Sequence, residues 1–514
     1  MTRARVADAL TPHLALQRGG GEAMHRQLYS TFRSAILDGA FAPGTRLPST
    51  RALADDLGVS RTTVLQAFER LVSEGYATAK SGAGTRVATT LNTSAQRRSA
   101  IRVEGRGLRA PERPPRLSKG MRAVLDEFRK PHPPTTMAPF ALGLPAIDDF
   151  PIQLWSRLVA RMWRTKPRDM LGFGDFRGYL PFREAVAQYV MTARGVRCSA
   201  EQIVVVNGAL HGVSLMSRIL LDPGEQAWVE NPGWRPVRAA IRATGAQIVR
   251  VPVDEYGLDV QEGERRAPQA RLAFVTPSYQ APLGVALTLE RRLALLDWAA
   301  RADAWILEDD YNGEYRYDTD PIPAVHSLDR AGRVIYIGSF SKTLAPGLRV
   351  GYLVLPPSLV EPVMKARLAS DLYTTNGEQA VLAEFIAGGH FARHIRRTRD
   401  LYRERQKDLL ELVPEIMSDL LDIRPAPAGM RLLGLLPRGA DSRAIGWAAA
   451  ERGLVVTPLS RSAPASMTEG REGLLLGYGA FDREATAAAL RVLAEVIRAN
   501  LGRAKKDGRV VGMR

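Results

Sequence analysis

The chain has 514 residues, 45% of them hydrophobic, which is enough to fill the cores of a large α/β domain and a smaller one. No apolar run approaches the length of a membrane span and no signal-peptide core follows the first residues, so we expect a cytoplasmic protein without membrane contact. The single cysteine, Cys198, excludes an internal disulfide, and the seven histidines show no metal-ligand spacing with it, so we expect no metal site.

Positive charge is concentrated near the N-terminus. The formal net charge is +17, and residues 1–130 hold 22 Lys and Arg against 11 Asp and Glu, a local net charge of +11. Such an asymmetry favours a polyanionic partner for this part of the chain. An arginine-rich composition without such a partner is the alternative, and charge alone does not separate the two.

Three short helices are predicted within this basic region. Apolar residues recur at helical spacing over 28–36, and Ser49 or Thr50 is suited to cap a second helix that ends at Gly58. Ser60 is suited to cap a third helix, which carries an i, i+3, i+4, i+7 apolar stripe. A tight turn between the last two helices predicts a helix-turn-helix, and two short extended runs over 77–88 predict a hairpin wing.

Residues 28–87 resemble the winged helix of GntR-type bacterial regulators. The motifs that carry the resemblance are Pro43–Ala54, Gly58–Val64 and Gly82–Thr85. It implies a winged-helix domain over 22–88 that binds double-stranded promoter DNA. The implied contacts to phosphates and base edges are Arg51, Ser60, Arg61 and Thr62, with Gly82 at the wing tip near the minor groove. Leu65 stands where some relatives carry arginine, so one contact is missing.

Residues 89–136 are rich in Arg, Pro and Ser and lack sustained periodicity. This composition predicts a linker, flexible in part and stiffened by proline. Within it, Met121–Phe128 is suited to form a helical turn or two. The arginines of the linker could add DNA affinity, although a solvated linker is the simpler interpretation.

Two strand-like runs in the middle of the chain precede residues suited to hold a phosphate and a ring. Ile203–Val206 leads into the glycine turn Asn207–Gly212, which could open a helix, and backbone N–H groups at a helix start bind phosphate. Trp234 follows the turn Glu230–Gly233, where an aromatic side chain is suited to stack on a cofactor ring. A plain turn and a core tryptophan are the alternatives.

A third strand, Ala304–Leu307, ends in an acidic run followed by Tyr311. A carboxylate against a pyridine nitrogen keeps that nitrogen protonated, which makes the ring an electron sink. A nearby tyrosine hydroxyl is suited to hydrogen-bond the ring's phenolic oxygen. A solvated acidic strand end is the alternative interpretation.

The most informative segment follows the strand Arg333–Ile337. Lys342 would sit just beyond the carboxyl end of this strand, where open α/β sheets bind ligands. A lysine amine can form a Schiff base with the aldehyde of pyridoxal phosphate, and Ser339, Ser341 and Arg349 are suited to bind the cofactor's phosphate. A solvated loop lysine is the alternative, but the preceding motifs favour a cofactor site.

Residues 140–498 resemble the fold type I aminotransferases. Further motifs that carry this resemblance are Gly143–Pro145, Phe150–Pro151, Gly178–Arg183, Arg194–Val196, Thr276–Gln280 and Pro282–Gly284. The resemblance implies an aminotransferase-like α/β/α domain over 137–503, with a small C-terminal α/β subdomain and a basic tail over 504–514. It makes Lys342 the Schiff-base lysine, Asp309 the partner of the pyridine nitrogen and Tyr311 the partner of the ring oxygen. The implied phosphate ligands are Ser339, Ser341, Arg349 and the backbone of Gly208 and Ala209, with Trp234 on the ring.

The order of the two domains resembles the MocR-type transcriptional regulators. That resemblance implies a pyridoxal phosphate-dependent regulator that senses an amine or amino-acid effector, or the cofactor itself, through aldimine exchange at Lys342. It also implies a homodimer, head-to-tail and domain-swapped. An active aminotransferase with an attached DNA-binding domain is the alternative function. A large domain that has lost the cofactor and only dimerises is a third possibility.

Several positions depart from the enzyme pattern. The segment Leu474–Tyr478 lacks the arginine that commonly binds the substrate carboxylate, and Arg461 or Arg471 is a candidate replacement. Three further departures are Phe173 for tyrosine, Ala281 for asparagine and Arg431 for histidine, and Tyr279 stands where MocR-type relatives usually have histidine. We therefore expect a regulator, with residual aminotransferase-type half-reactions at most.

Overall fold

The structure is a computed structural model that describes residues 22–80, 84–89, 115–128, 137–317, 322–459 and 470–506. The chain divides into two compact units, Met1–Arg116 and Leu117–Arg514. Parts of the predicted linker and tail, 90–114, 129–136 and 507–514, lie outside the described residues. Each unit has its own hydrophobic core.

The first unit contains three helices and a two-stranded hairpin. Its elements are α1 (Met24–Leu37), α2 (Thr50–Leu57), α3 (Arg61–Ser73), β1 (Ala77–Lys80) and β2 (Gly84–Val87). Side-chain caps begin α2 and α3: the Oγ of Ser49 accepts the Ala52 N–H at 3.2 Å, and the Oγ of Ser60 accepts the Thr63 N–H at 3.1 Å. Gly58, with φ of +62°, makes the turn between these helices.

Aromatic side chains form the centre of this small core. The ring of Phe32 lies 6.0 Å from that of Phe41 and meets that of Phe68 edge-on at 5.2 Å. All three rings are buried, and Val64 and Leu71 of the predicted apolar stripe pack in the same cluster. The stripe thus places the third helix against the first.

The second unit is an α/β structure with a large and a small sheet. Its helices are α4 (Lys119–Glu127), α5 (Ile152–Thr165), α6 (Pro167–Leu171), α7 (Leu180–Arg194), α8 (Ala209–Leu220), α9 (Arg235–Arg242), α10 (Val260–Arg266), α11 (Leu289–Arg301), α12 (Pro357–Leu368), α13 (Asn376–Ala387), α14 (His390–Met417), α15 (Ser442–Glu451) and α16 (Arg483–Lys506). Its strands are β3 (Ile203–Val206), β4 (Gln226–Asn231), β5 (Gln247–Asp254), β6 (Gly257–Leu258), β7 (Leu272–Val275), β8 (Trp305–Asp309), β9 (Val334–Ser339), β10 (Gly351–Val354), β11 (Asp422–Ile423), β12 (Arg431–Leu435), β13 (Thr457–Leu459) and β14 (Gly473–Gly477). Short 3₁₀ turns span Ile147–Asp149, Ala200–Gln202, Val325–Leu328 and Pro346–Leu348.

The large sheet has the order β3-β10-β9-β8-β7-β4-β5-β6. Neighbours from β9 through β5 are parallel, whereas β10 is antiparallel to both β3 and β9. Strands β3, β4, β7, β8 and β9 therefore point in the same direction and end at one edge. Several of these strands, such as β3 and β7, are buried along their whole length, as expected for a sheet covered on both faces.

The small sheet is antiparallel, with the order β11-β12-β14-β13. Its strand β14 is completely buried, and residues of α14, α15 and α16 join the same hydrophobic cluster. The predicted combination of a winged helix with a large α/β domain and a small α/β subdomain is confirmed. Among the described residues, no helix has the length and apolar character needed to cross a membrane.

One buried ion pair lies beneath the edge where the strands end. Arg194 of α7 donates from Nε to Asp310 at 2.6 Å, and both side chains are almost completely shielded from solvent. The same guanidinium reaches the hydroxyl of Ser278 and the carbonyl of Gly313. Tyr336 of β9 also donates to Asp310, at 2.9 Å. The pair therefore joins a helix, a strand and two loops.

We predict that Arg194→Met destabilises the second unit by about 3–5 kcal/mol, because it leaves the Asp310 carboxylate buried without its cation. Differential scanning calorimetry of the full chain should show a lower transition midpoint for this unit. Lys365→Met is the matched control, since its partner Glu361 and Lys365 itself are exposed, and it should leave the midpoint unchanged. An unchanged midpoint for Arg194→Met would contradict the prediction.

Candidate cofactor site and DNA-contact surface

The predicted cofactor residues meet at the carboxyl edge of the large sheet. Asp309 is the last residue of β8, and Lys342 follows β9, its parallel neighbour. Gly208 follows β3 and Trp234 follows β4, which run in the same direction. Parallel strands bring their carboxyl ends to one edge, where open α/β sheets form ligand sites.

Lys342 contacts the backbone of a distant loop. Its Nζ donates to the carbonyl of Gly143 at 3.0 Å. Gly143 has φ of +64°, and a Cβ placed there would lie 2.4 Å from Nζ, so this approach requires glycine. Burial, followed by the positive charge of Arg431, lowers the pKa of the Lys342 amine to about 8, against the opposing effect of Asp309. An amine with such a pKa is a competent nucleophile near neutral pH.

Asp309 has an unpartnered oxygen. Its Oδ1 is buried and accepts no hydrogen bond from any described residue. Burial, followed by the negative charges of Asp310 and Glu230, raises the pKa of the carboxyl to about 7, against the opposing effect of Lys342. A buried acceptor without a donor is rare in folded proteins. A protonated pyridine nitrogen would supply both the donor and the positive charge, so this residue fits pyridoxal phosphate.

Tyr311 is held between a carbonyl and a guanidinium. Its hydroxyl donates to the carbonyl of Tyr279 at 2.8 Å and accepts from Nη2 of Arg431 at 2.9 Å. Burial raises the pKa of this hydroxyl, so it remains protonated at neutral pH. The bond of this hydroxyl to a ring oxygen stays a prediction.

Arg431 is a residue of the site whose role the sequence did not reveal. From β12 of the small sheet, it donates to the carbonyl of Pro282 at 3.0 Å and to that of Gln280 at 2.8 Å. Its guanidinium carbon lies 4.6 Å from the ring centre of Tyr279, a cation–π contact. Gly143 was also missed, because its approach to Lys342 joins residues far apart in the chain.

Glu230, the acidic residue of the predicted turn, fixes a loop of the site. It accepts from the N–H and hydroxyl of Thr276 at 2.9 and 2.7 Å, and from the amide of Gln280 at 3.0 Å. Burial raises the pKa of Glu230 to about 7 although these donors oppose the rise. The loop that carries Tyr279 is thus tied to the end of β4.

The predicted phosphate ligands form a polar set. Ser339 Oγ donates to Ser341 Oγ at 3.1 Å and accepts the Ser341 N–H at 3.2 Å. Arg349, at a φ of +53°, donates from Nη2 to the carbonyl of Asn207 at 2.8 Å. A Cβ at Gly208 would lie 3.1 Å from the same Nη2, so the guanidinium lies against the start of α8.

The start of α8 is suited to bind an anion. Ala209 begins this twelve-residue helix, and the first N–H groups of a helix have no partner within it. The N–H of Gly208 itself donates to Val206 at 2.8 Å. The first turn of α8, together with Arg349, can therefore offer donors to a phosphate.

Trp234 lies directly before α9 and is 42% exposed. Its indole makes no hydrogen bond or ring contact with another residue in the part of the chain that the structure describes. The ring is therefore available to cover a bound cofactor.

The place expected to hold a carboxylate-binding arginine is apolar. Leu475 of β14 is buried and pairs with Leu433 across the small sheet. Of the two candidate replacements, Arg471 forms an ion pair with Asp422 at 2.6 Å, and Arg461 lies outside the described residues. Among the described residues, Arg431 is the cation that contacts the hydroxyl of Tyr311.

Three of the predicted DNA contacts, Ser60, Arg61 and Thr62, lie at the start of α3, and Arg51 lies in the first turn of α2. Arg51, Arg61 and Thr62 are exposed, and no described residue makes a side-chain hydrogen bond to them. Ser60 is also exposed, but its Oγ caps the helix and lies 2.8 Å from the hydroxyl of Thr63. The hydroxyl of Ser60 is thus already engaged, whereas the two arginines are free to meet phosphates or bases.

The wing is an antiparallel hairpin that pairs Ala77 with Val87 and Lys80 with Gly84. Gly82, predicted at its tip, lies outside the described residues. Leu65 is 44% exposed on α3, so an apolar side chain faces outward where some relatives carry arginine. The described part of the predicted DNA-contact surface is therefore positively charged at the start of α3.

Comparison with known proteins identifies both units. Residues 24–87 match the family "Bacterial regulatory proteins, gntR family", and residues 146–470 match "Aminotransferase class I and II". The structure resembles that of LysN, an α-aminoadipate aminotransferase from Thermus thermophilus complexed with N-(5'-phosphopyridoxyl)-L-leucine. That resemblance has a TM-score of 0.65 at 28% identity and covers 75% of this chain and 98% of LysN. The second unit therefore has the aminotransferase fold, whose members bind pyridoxal phosphate.

Two curated relatives share both units. The "Probable rhizopine catabolism regulatory protein MocR" of Rhizobium meliloti is 39% identical, with 91% of this chain and 92% of the relative covered. The "HTH-type pyridoxine biosynthesis transcriptional regulator PdxR" of Corynebacterium glutamicum is 31% identical, with 91% and 94% covered. The chain therefore belongs to the MocR-type transcriptional regulators, which join a GntR-family winged helix to an aminotransferase class I and II domain.

Proposed function

We propose that this regulator binds pyridoxal phosphate at Lys342 and senses an amine or amino-acid effector, or the cofactor itself, there. The winged helix binds double-stranded promoter DNA and reports the state of that site. The observation that carries the proposal is the buried Lys342 amine facing the charge of Asp309, whose Oδ1 has no donor among the described residues. We also propose the boundaries 22–88, 89–136, 137–503 and 504–514 for the winged helix, linker, large domain and tail.

When bound, pyridoxal phosphate supplies an aldehyde that condenses reversibly with amines. Lys342 presents the resident amine, and Asp309 keeps a proton on the pyridine nitrogen. The proposed remaining ligands are Tyr311 at the ring oxygen, Trp234 on the ring face, and Ser339, Ser341, Arg349, Gly208 and Ala209 around the phosphate. Glu230 and Arg431 hold the loop and the hydroxyl that orient this set.

Sensing follows from competition between two amines for one aldehyde. With pyridoxal phosphate bound, an effector amine would compete with the amine of Lys342 for the aldehyde, and the carbonyl of Gly143 would accept a hydrogen bond from the released lysine. A ligand shifts a conformational equilibrium only by its difference in affinity for the two states. Arg431 and Tyr311 are placed to create that difference, because they connect the small sheet to the loop at Gln280.

The apolar strand end at Leu475 favours a regulator over an efficient amino-acid aminotransferase. A transaminating enzyme has to hold the carboxylate of each substrate in place through the reaction. In the described residues Arg471 is already paired with Asp422, so it does not replace the absent arginine. Rapid keto-acid formation over a panel of amino donors, without promoter binding, would support the attached-enzyme alternative instead.

We further propose that the regulator works in the cytoplasm as a head-to-tail, domain-swapped homodimer. Support for a protein interface comes from exposed apolar side chains at the end of α6, Leu171 and the nearby Phe173, the latter 92% exposed. Apolar groups of this size in solvent commonly mark protein interfaces. Sedimentation equilibrium measures the mass directly.

Cofactor loading should depend on pH through Lys342. The pKa of this amine is lowered to about 8, so it is protonated and unreactive below that pH and neutral above it. We expect the rate at which pyridoxal phosphate acquires its visible absorbance on the protein to rise with a midpoint near pH 8. Stopped-flow absorbance measures this rate.

Two variants serve as controls for that measurement. Lys342→Ala should give no such absorbance at any pH. Arg431→Met should move the midpoint to higher pH, because it removes a positive charge that lowers the lysine pKa. A midpoint near pH 10.5 in the unaltered protein would contradict the assigned environment of Lys342.

DNA binding should depend on the start of α3. We expect Arg61→Ala to weaken binding to the chain's own upstream DNA by about 1–3 kcal/mol, as for loss of a base or phosphate contact. Fluorescence anisotropy at fixed salt gives the dissociation constant. Arg70→Ala is the matched control on the same helix, because Arg70 is paired with Glu74 at 2.8 Å. Equal losses in both variants would contradict the assigned surface.

A further inference from the structure

We propose that the arginine-lined face of α9 is the docking surface for the linker helix α4, and that docking and release of α4 transmit the state of the cofactor site to the winged helix. The transmission rests on the proposed function, whereas the docking does not. The sequence predicted a linker in this region, flexible in part, with a helical turn or two over Met121–Phe128. The structure contains a nine-residue helix there, seated on the large domain.

A buried carboxylate is the centre of this contact. Glu127, the last residue of α4, has a side chain only 6% exposed. It accepts from Nε and Nη2 of Arg238 at 2.9 and 2.7 Å, and Nη1 of Arg242 lies 3.3 Å away. Arg235 donates to the backbone carbonyl of the same glutamate. Three arginines of one helix thus converge on one residue of the linker.

The remainder of α4 follows the same surface. A Cβ at Gly120 would lie 2.3 Å from the carbonyl of Ala243, so the two backbones are in direct contact and only glycine fits there. The ring of Phe128 lies 5.6 Å from the guanidinium of Arg235. Ser118 caps the helix by accepting the Met121 N–H at 3.1 Å. These contacts span α4 from end to end.

The docking surface is connected to the cofactor site by short polar contacts. Arg238, which binds Glu127, also donates to the carbonyl of Gly233 at 2.8 Å. Gly233 immediately precedes Trp234, the predicted ring-stacking residue. On the other side of this turn, Gln280 donates to the carbonyl of Pro232 at 2.9 Å.

The same Gln280 is bound by Arg431, whose Nη2 donates to its carbonyl at 2.8 Å and to the hydroxyl of Tyr311 at 2.9 Å. Movement of the turn at Gly233 therefore affects both the cofactor site and Arg238. A connected set of contacts does not by itself carry a signal, because a signal requires an element with two discrete states.

Helix α4 has the properties of such an element. A helix of nine residues is unstable by itself in water, so its structure depends on docking. Release would lengthen the stretch of chain between the large domain and the winged helix. A longer connection alters the effective concentration at which the winged helix meets DNA.

The docking is tested first, by hydrogen exchange over residues 118–128 in the full-length protein. We expect Glu127→Gln to accelerate exchange in this segment about tenfold, because it removes the charge from the contact. Asp126→Asn is the matched control, since it removes the same charge from an exposed neighbouring position. Arg242→Gln, which leaves the Arg238–Gly233 contact intact, should give a smaller acceleration. Unchanged exchange in Glu127→Gln would overturn the docking.

The transmission is tested by DNA affinity with and without pyridoxal phosphate as the probe. For each protein, the ratio compares the dissociation constant for DNA with pyridoxal phosphate to the constant without it. We expect the unaltered protein and Asp126→Asn to show at least about a fivefold change in this constant. Glu127→Gln should show a ratio near one while still developing the cofactor's visible absorbance. A ratio equal to that of the unaltered protein would overturn the transmission alone. A ratio of one in the unaltered protein would overturn both the transmission of cofactor binding and the sensing of the cofactor itself, while the docking and the response to amines have their own tests.

Discussion

The site depends on opposite charges that are buried close together at the carboxyl edge of the large sheet. The amine of Lys342 is held between the negative Asp309 and the positive Arg431, and burial strengthens both effects. Burial, followed by the charges of Asp310 and Glu230, raises the pKa of Asp309, so its proton is retained to higher pH than usual. A cation at the pyridine position would satisfy this cluster, which explains why the fold keeps so many carboxylates under one edge.

The buried carboxylates also connect the site to the helices and loops around it. Asp310 is neutralised by Arg194 from α7, and Glu230 is bound to the loop that carries Tyr279. Two residues that raise the pKa of Asp309 are therefore also residues that hold loops and helices in place.

Some of this site could be predicted because strand ends are visible in the sequence. Lys342 and Asp309 each follow a buried apolar run, and parallel strands bring such residues together. The caps of the winged helix, Ser49 and Ser60, were equally visible, because capping depends on neighbours three residues away. Local patterns of this kind do not depend on the rest of the fold.

The other parts of the site depend on contacts between distant segments. Gly143 reaches Lys342 from the start of the domain, and Arg431 reaches Tyr311 from the small sheet. Helix α4 was not predicted in full, because a charged nine-residue segment has little helical preference of its own and is stabilised by Arg238 and its neighbours. Tertiary structure alone reveals these three features.

The central claim is that exchange of amines at Lys342 changes DNA binding. Fluorescence anisotropy tests it most directly, on the chain's own upstream DNA, with cofactor-loaded protein titrated with a panel of amines and amino acids. The account predicts that at least one amine changes the dissociation constant by about fivefold or more, and that Lys342→Ala does not respond. An equal response in Lys342→Ala, or no response to any amine in the unaltered protein, would contradict it.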